Sequence, residues 1–483
     1  MLNRPAATTI DALSRRNFFS TMGRGLAGVA LADLLRADSP GPKDGLIRRP
    51  GRRTRYDLTP KPSHFEPRAD AVIQLFMHGG PSQMDLLDPK PALEKYDGKR
   101  FPGVIDVQQP EAAGGVLKSP FQFARYGQSG IDVSELLPHL AESVDDITVI
   151  RSMHTEHINH EPALCMIHTG LTVPGRPTIG SWVVYGLGSE SQNLPAYVVL
   201  DDPGGLPVDG IRNWTAGWLP PVYQGTRFRA TGTPVWNLDP SRKITPKLER
   251  ARRTLLAALD KAHREARPGE PELDARIASY KLSARMQISA SAALDLSSES
   301  DVTQRMYGLD DKTTESYGRR CLMARRLVER GVRYVQIFVP GQKWDHHSGL
   351  EKGIRSCCAM TDKPVGALLK DLKQRGLLER TLVVWGGEFG RLPISQAKDG
   401  RDHNRQGFTM WMAGGGVKAG SVYGATDDFA YAAVEDRVSV PDLHATILHL
   451  LGLDHEKLVF PRNGLNERLT GVHEPRVVEE LFA

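Results

Sequence analysis

The chain has 483 residues, with 62 lysines and arginines against 57 aspartates and glutamates, and four cysteines. A hydrophobic share of 40% with 25% charged residues is typical of a globular protein and excludes a disordered chain, a coiled coil and a collagen-like repeat. The net charge of +5 is small for this length and indicates no nucleic-acid-binding surface. Four cysteines are too few for a disulfide scaffold, and no apolar run reaches the roughly 18 residues of a membrane span.

The N-terminal segment has the pattern of an export signal. The run SRRNFF (14–19) contains an arginine pair, a moderately apolar stretch follows over 22–35, and the run ALA (30–32) offers a cleavage site. We predict that residues 1–37 are a twin-arginine (Tat) signal peptide; a basic amphipathic helix is the simpler alternative. The Tat translocase is then a partner, and the mature protein is periplasmic or otherwise exported. Export in the folded state suits a chain that takes up a metal beforehand.

Short apolar runs and helical patterns alternate along the rest of the chain. Residues 38–68 have no period and are predicted to be a linker or a surface wrap. The predicted strands are 71–77, 147–151, 196–200, 334–339, 381–385 and 408–413, and the predicted helices are 318–331, 352–376 and 441–452. Most of the apolar runs are near-continuous, as in a parallel sheet covered on both faces. The alternation predicts an α/β doubly wound, mostly parallel sheet.

One long segment departs from this alternation. Residues 240–315 are rich in alanine, leucine, arginine and lysine and contain no strand pattern. We interpret them as a helical insertion on the same sheet. The predicted organisation is therefore an α/β domain over 69–460, with the insertion at about 240–315, followed by a C-terminal tail over 461–483.

Polar residues follow the predicted strands at the points where the strands end. His78, with Ser82 and Asp85 close behind, follows the first strand. Three further polar runs come after later strands: WDHHSG (344–349), GGEFGR (386–391) and GRDHN (400–404). Because ligands bind beyond the carboxyl ends of strands in such sheets, we expect these side chains to converge. Histidine and carboxylate ligands suit a divalent metal. The alternative is a polar network that binds no metal.

A second histidine cluster precedes a helical pattern. His160, Glu161 and Pro162 lie at the predicted start of this helix, where free backbone N–H groups and the helix dipole favour an anion. The functional interpretation is an anion-binding or nucleophile position. The structural alternative is that Asn159 caps the helix and the histidines are surface residues.

The order of these motifs resembles the alkaline phosphatase–sulfatase superfamily. Within it, the chain is similar to a family of Tat-exported, sulfatase-like bacterial proteins classed as a domain of unknown function. The resemblance covers about residues 70–455 and is carried by the segments MHGGPSQMDLLDPKP, NHEPALCMIHTG, GRRCLMARRLVERGVRYVQIFV, WDHHSG, GGEFGR, GRDHN and VPDLHATILHLLGLD. It implies an alkaline-phosphatase/sulfatase-like fold for the α/β domain and a metal-dependent activity on esters.

The resemblance implies ligands for one metal. In the superfamily an Asp and a His after a middle strand, and a late His, hold one ion; Asp345, His347 and His403 match them. The spacing of the first two is tighter than the usual Asp-x-x-x-His. The expected ion is zinc, with calcium, magnesium and manganese as alternatives.

The second metal site of the superfamily is altered in this chain. Glu388 stands where an Asp is expected, and Phe389 stands where the adjacent His is expected. After the first strand, the match is open among His78, Ser82 and Asp85. The resemblance therefore implies one intact metal site and a second that is degraded or rebuilt.

The nucleophile position is also altered. Aligning Pro162 and the Thr169-Gly170 pair puts His160 at the nucleophile and Leu164 where an Arg is expected. This excludes formylglycine chemistry at that position and leaves no Ser or Thr nucleophile there. His160 is then a direct nucleophile, or a ligand or general base beside a single metal with water as nucleophile, or part of a site that binds without turnover.

These inferences combine into one hypothesis and two alternatives. We predict an exported metal-dependent hydrolase of sulfate, phosphate or related esters of small molecules or carbohydrates. The predicted catalytic residues are His160, Glu388 and Arg391, with Arg391 neutralising a substrate oxyanion. The predicted metal ligands are Asp345, His347 and His403, and Glu388, with His78 or Asp85, is predicted to hold a second ion or to act as acid or base. The residues predicted to contact the substrate are Asn159, Asp402 and Ser82. One alternative is a non-enzymatic metal- or anion-binding protein on a degenerate sulfatase-like fold. The other treats the histidines and carboxylates as structural contacts.

Overall fold

The structure is a computed structural model that describes residues 56–229, 245–267 and 270–483. The predicted signal peptide (1–37) and most of the predicted linker lie outside the described residues, so the export prediction is not tested by the fold. Within the described part of the chain, no helix has both the length and the apolar character needed to cross a bilayer.

A nine-stranded sheet forms the centre of the domain. Its strands are β1 (Ala71–Phe76), β2 (Ile147–His154), β3 (Tyr197–Asp201), β4 (Thr226–Arg229), β5 (Tyr334–Phe338), β6 (Thr381–Gly386), β7 (Phe408–Ala413), β8 (Ser421–Tyr423) and β9 (Val438–Ser439). The spatial order is β8-β2-β7-β6-β1-β5-β3-β4, and β9 also pairs with β2. All pairings are parallel except those of β7. The predicted α/β fold with a mostly parallel sheet is confirmed.

Burial explains why the strand sequences are continuous apolar runs. Every residue of β1, β5, β6 and β7 is buried. A strand covered on both faces has no solvent side on which to place polar residues, so its sequence does not alternate.

Strand β7 runs against its neighbours because no helix separates it from β6. After β6 the chain forms a small antiparallel ladder between Gly390–Arg391 and His403–Asn404, and then returns along β6. A parallel return would need a crossover of a dozen or more residues, usually a helix. Strand β7 therefore begins at the edge where the parallel strands end, and His403, just ahead of it, lies at that edge.

Helices surround the sheet and occupy the segment predicted as an insertion. They are Gln83–Leu86, Pro91–Lys95, Pro138–Ala141, His160–Thr169, Ile179–Leu187, Pro246–Ala266, Pro271–Leu294, Asp301–Met306, Glu315–Val328, Leu350–Gln374 and Val440–Leu450. The described residues between 240 and 315 contain helices and no strand. The last helix ends at Leu450, and Gly452, two residues later, has a φ of 75°, the left-handed conformation that glycine adopts without strain.

Short two-stranded ladders complete the fold. They pair Ala113–Val116 with Ile394–Gln396, Phe123–Tyr126 with Ile131–Ser134, Ala425–Thr426 with Ala433–Glu435, and Phe460–Arg462 with Leu465–Glu467.

The residues at both ends of the described part of the chain pack onto this domain. The N–H of Lys61 donates to the Leu187 carbonyl at 2.9 Å, and the Arg68 N–H donates to the Leu450 carbonyl at 2.8 Å. At the other end, Leu481 is buried and its carbonyl accepts the Lys418 N–H at 2.8 Å. Residues 56–68 thus form a surface wrap, and the C-terminal residues are held against the same domain.

Candidate active site

The three predicted metal ligands lie together at the carboxyl edge of the sheet. His347 Nε2 is 2.9 Å from Asp345 Oδ1, and His403 Nε2 is 3.2 Å from the same oxygen. The two Nε2 atoms are 3.0 Å apart. Asp345 and His347 come from the loop after β5, and His403 comes from the ladder strand before β7. We call these three side chains the ligand triangle.

The outer nitrogens of both triangle histidines are already engaged. His347 Nδ1 contacts Gln396 Oε1, and His403 Nδ1 lies 2.7 Å from the Ile158 carbonyl oxygen. Because these oxygens only accept, both Nδ1 atoms carry a proton and donate, and each neutral ring presents an Nε2 lone pair. Two lone pairs and a carboxylate oxygen thus face one another at about 3 Å, an arrangement that needs a cation or an extra proton between them.

The triangle fits a divalent metal. Zinc binds nitrogen and oxygen ligands at about 2.0–2.2 Å in tetrahedral geometry, which puts its ligand atoms roughly 3.3–3.6 Å from one another. The separations of 2.9, 3.0 and 3.2 Å are slightly shorter, so an opening of the triangle by a few tenths of an ångström would seat the ion. The hydrogen bonds from the outer nitrogens to Gln396 and Ile158 also match the way metal-binding histidines are held.

Local charges decide where an extra proton would sit. Burial opposes the charged form of Asp345, but its interactions with the surrounding histidines outweigh burial and hold its pKa well below the usual range. The interaction with Asp345 raises the pKa of His347. Burial lowers the pKa of His403 to about 4. Of the two triangle histidines, His347 is therefore the one that favours an extra proton.

A second carboxylate pairs with the histidine at the predicted nucleophile position. Glu388, fully buried, accepts the Gly79 N–H at 3.0 and 3.2 Å, and its Oε1 lies 2.6 Å from His160 Nδ1. The other ring nitrogen, His160 Nε2, has no hydrogen-bond partner and lies 3.4 Å from Asp345 Oδ2. Burial disfavours charge on His160, but the nearby carboxylates of Asp345 and Glu388 outweigh burial and raise its pKa to about 9.

Asn159 does not cap the helix that begins at His160 with its side chain. Its backbone occupies the N-cap position, but its side chain makes no capping hydrogen bond. The Asn159 Oδ1 accepts instead from Gln108 Nε2 at 2.5 Å. The structural alternative of side-chain capping by Asn159 is wrong. His160 itself is buried, so it is not a surface residue.

The turn after β1 fits between the loops that carry the carboxylates. Gly79 has a φ of 115°, and a Cβ placed there would lie 2.6 Å from the Asp345 backbone nitrogen. A Cβ on Gly80 would lie 2.7 Å from the Phe389 ring. Only glycine tolerates both the conformation and the close approach, so this turn sets the distance between the two loops.

His78 and Phe389 line the buried side of the site. Both are fully buried; neither His78 ring nitrogen has a hydrogen-bond partner, and Nε2 lies 3.8 Å from Glu388 Oε1. Burial lowers the pKa of His78, which keeps it neutral. The Phe389 ring centre is 4.5 Å from that of His403 and 4.9 Å from that of His160. The Phe389 ring thus packs as an apolar surface against both histidines, whose own ring centres are 4.5 Å apart.

Arg391 has a different position from the one expected. Its side chain is 1% exposed and donates to the Gly80 and Arg401 carbonyls, each at 3.0 Å, and to Asp345 Oδ1 at 2.6 Å. A guanidinium held this way is not available to a substrate oxyanion. The structure instead gives Arg391 the task of orienting Asp345.

Ser82 and Asp85 lie away from the ligand triangle. Asp85 accepts from Arg401 Nε at 2.8 Å and from Ser82 Oγ at 2.5 Å, and all three residues are buried. These contacts account for both side chains. The metal-ligand role predicted for Asp85 and the substrate contact predicted for Ser82 have no support in this geometry.

A glutamine-bearing loop that sequence reasoning missed reaches the site. Asp402 Oδ2 accepts the backbone N–H of Gln108 at 3.0 Å and of Gln109 at 3.3 Å, and Asp402 Oδ1 accepts the His403 N–H at 2.8 Å. Gln396 Nε2 donates to Gln109 Oε1 at 3.0 Å. No motif marks these glutamines, because their contacts arise only from the folded chain.

Among the described residues, three groups of side chains have ligand atoms close enough to share an ion. They are His78, His160 and Glu388; His160, Asp345 and His403; and His347, Asp402 and His403. The chain can therefore hold a divalent metal. The last two groups share His403, and the ligand triangle combines it with Asp345 from one group and His347 from the other.

Comparisons with known proteins place the chain in a family. Similar solved structures include the lipoteichoic acid synthase LtaP from Listeria monocytogenes (8% identity, 86% of this chain and 78% of that chain, TM-score 0.37). Others are the PsFucS1 sulfatase from Pseudoalteromonas sp. (13%, 82% and 69%, 0.33) and a TAB5 alkaline phosphatase mutant with bound magnesium (10%, 80% and 99%, 0.34). No curated protein matches the chain. The model of the family DUF1501, described as a protein of unknown function, matches residues 69–482, and the chain therefore belongs to that family.

Proposed function

We propose that this protein is an exported, metal-dependent hydrolase of sulfate, phosphate or related esters of small molecules or carbohydrates. The observation that carries the proposal is the ligand triangle. Two imidazole lone pairs and one carboxylate oxygen meet at metal-ligand spacing, and the outer nitrogens of both imidazoles are fixed by hydrogen bonds. The motif order of the alkaline phosphatase–sulfatase superfamily, stated above from the sequence, supports the choice of ester hydrolysis.

Asp345, His347 and His403 would hold the ion, for which we favour zinc. When bound, the metal would supply Lewis acidity toward an ester oxygen and lower the pKa of water. Arg391 holds the Asp345 carboxylate in place, and Gln396 and the Ile158 carbonyl set the ring orientation of the two histidines. The chain thus fixes all three metal-ligating side chains before the metal binds.

His160 would move a proton at its Nε2 atom. Glu388 holds the opposite nitrogen at 2.6 Å and leaves Nε2 without a partner beside Asp345. Asp345 and Glu388 raise the pKa of His160, which favours its protonated form, and that form can donate to the oxygen of a leaving alcohol. A protonated imidazole is a poor nucleophile, so we favour proton transfer over direct attack by His160.

The same contacts favour one ion over two. The 2.6 Å separation of His160 Nδ1 and Glu388 Oε1 is that of a hydrogen bond and is shorter than the spacing of two ligands on one metal. We therefore assign Glu388 and His78 to proton handling and not to a second ion.

The test combines metal analysis with turnover. Protein purified without chelator should contain one divalent ion per chain, lose it to chelation and regain hydrolysis of an aryl sulfate or aryl phosphate when zinc is restored. Stoichiometric metal without turnover on any ester would support the binding-protein alternative. Absence of stoichiometric metal would support the alternative in which the histidines and carboxylates make only structural contacts.

Export is a separate part of the proposal, supported by the SRRNFF run (14–19). A fusion of residues 1–37 to a Tat-dependent reporter should be exported. Replacement of Arg15 and Arg16 by lysine should abolish export. A reporter that stays in the cytoplasm with the native arginines would contradict the assignment.

A further inference from the structure

The helical hairpin of residues 246–294 carries an apolar stripe that nothing in the described chain covers. Leu248, Leu255 and Leu259 on its first helix are 51%, 61% and 57% exposed. Their spacings of seven and four residues place them on one face of that helix. Burying such a face is normally what fixes a surface helix to its domain.

The hairpin packs the opposite, charged face of this helix inward. The partly buried residues are Glu249, Arg253 and Asp260, and Arg253 Nε donates to Glu249 Oε1 at 2.9 Å. Between the two helices, Arg264 and Asp274 approach to 3.6 Å. The usual arrangement of an amphipathic helix is thus inverted, with the polar side against protein and the leucines toward solvent.

The exposed apolar surface is concentrated on this hairpin. Leu256 and Tyr280 are 56% and 69% exposed and line the same groove of about 640 Å³ between the two helices. Five of the fourteen large apolar side chains that are exposed among the described residues therefore lie in the hairpin. The groove is also lined by Glu249, Arg253 and Asp260, so it lies beside the leucine stripe. A concentration of exposed apolar side chains of this kind marks an interaction site.

The hairpin also holds most of the chain's net positive charge. Residues 246–294 contain ten lysines and arginines against six aspartates and glutamates, a net charge of +4, whereas the whole chain carries +5. By helix geometry Arg252 lies on the leucine face, between Leu248 and Leu255, and Lys247 lies to one side of it. The surface that complements this hairpin therefore combines apolar character with negative charge.

We propose that the hairpin docks on the surface of an anionic lipid bilayer, with helix 246–266 lying in the plane of the headgroups. Its leucines enter the acyl boundary, Tyr280 sits at the headgroup level, and Lys247 and Arg252 contact lipid phosphates. This inference is independent of the catalytic proposal, since it uses no residue of the site.

Charge argues against a second copy of the chain as the occupant. Pairing the stripe with its own copy would bring two surfaces of net charge +4 together. Like charges across an interface oppose association, whereas anionic lipid attracts each cation.

The experiment measures co-sedimentation of the full chain with vesicles. We expect binding to vesicles that contain phosphatidylglycerol, little binding to phosphatidylcholine alone, and loss of binding at high salt. Leu255→Ser with Leu259→Ser should weaken binding at least about tenfold. Lys247→Gln with Arg252→Gln should weaken it about fivefold per charge.

The matched control removes apolar surface elsewhere. Leu465 and Val472 are 65% and 85% exposed outside the hairpin, and replacing both with serine should leave vesicle binding unchanged. Residues 1–37 are present in all of these variants, so any vesicle binding by that segment is common to them and cannot account for a difference between them. Unchanged binding of the leucine variant would overturn the proposal. So would a dimer in analytical ultracentrifugation that the leucine variant dissociates and that does not bind vesicles.

Discussion

Two carboxylates that follow strands β5 and β6, on either side of β1, have different surroundings. Asp345 keeps 17% of its side chain exposed and faces two lone-pair nitrogens, whereas Glu388 is fully buried and faces a backbone N–H and His160. Burial disfavours ionisation of Glu388, but its interactions with His78 and His160 outweigh this and lower its pKa to about 2. In the proposed function, a carboxylate therefore serves a metal where two lone-pair nitrogens face it and serves a proton where it holds one histidine.

Removing Asp345 tests the metal side of this comparison and has the largest expected effect. Asp345→Ala leaves the triangle with two neutral histidines and no charge to hold a cation. We expect loss of the bound ion and a fall in kcat/KM of at least about 1,000-fold. Elemental analysis and ester hydrolysis measure the two effects, and circular dichroism checks the fold. A variant that keeps both metal and turnover would remove Asp345 from the ligand set.

Removing His160 tests the proposed proton transfer and should distinguish the role of Glu388 from that of Asp345. His160→Gln keeps a polar side chain beside Glu388 but cannot carry the proton. We expect kcat to fall about 100- to 10,000-fold while the metal content stays at one ion per chain. Loss of the ion together with activity would instead make His160 a ligand. A phosphorylated or sulfated His160 trapped during turnover would show it to be the nucleophile.

Replacing Gln396 tests whether the outer contacts support the triangle. Gln396→Leu removes the acceptor that fixes the His347 Nδ1 proton. We expect metal affinity to fall about 10- to 100-fold, with His160 unaffected. Competition with a chromogenic chelator measures the affinity. Gln192→Leu is a control, because Gln192 hydrogen-bonds to Ser189 and lies outside the site. Equal affinities for the Gln396 variant and the native chain would show that the tautomer is set in another way.

The sheet could be predicted from the sequence because it depends on local order: continuous apolar runs predicted the buried strands. The polar runs directly after the strands predicted that their side chains converge, and the resemblance to the superfamily singled out Asp345, His347 and His403 among them. The antiparallel direction of β7 was not predicted, because an apolar run has the same pattern in either direction. Its direction depends on the ladder between Gly390–Arg391 and His403–Asn404.

The supporting contacts could not be predicted because they join distant segments. Gln396, Gln108 and Gln109 lie in no recognisable motif, yet they hold His347 and Asp402. Arg391 was expected to face a substrate because it is a cation after a strand. Only the folded chain shows that carbonyl oxygens and Asp345 already use its donors.

Ser82 offers the smallest and sharpest test of where the site ends. It is the serine after β1, yet its hydroxyl donates to Asp85, which is itself held by Arg401. Ser82→Ala leaves the Asp85–Arg401 pair intact, so we expect a loss of about 1 kcal/mol in unfolding free energy. Metal content and kcat/KM should stay within about twofold of the native values, because neither Asp345 nor Glu388 contacts the Ser82 hydroxyl. Chemical denaturation and ester hydrolysis measure the two quantities. A fall in turnover of tenfold or more in the folded variant would make Ser82 a participant in the reaction and extend the site beyond Asp345 and Glu388.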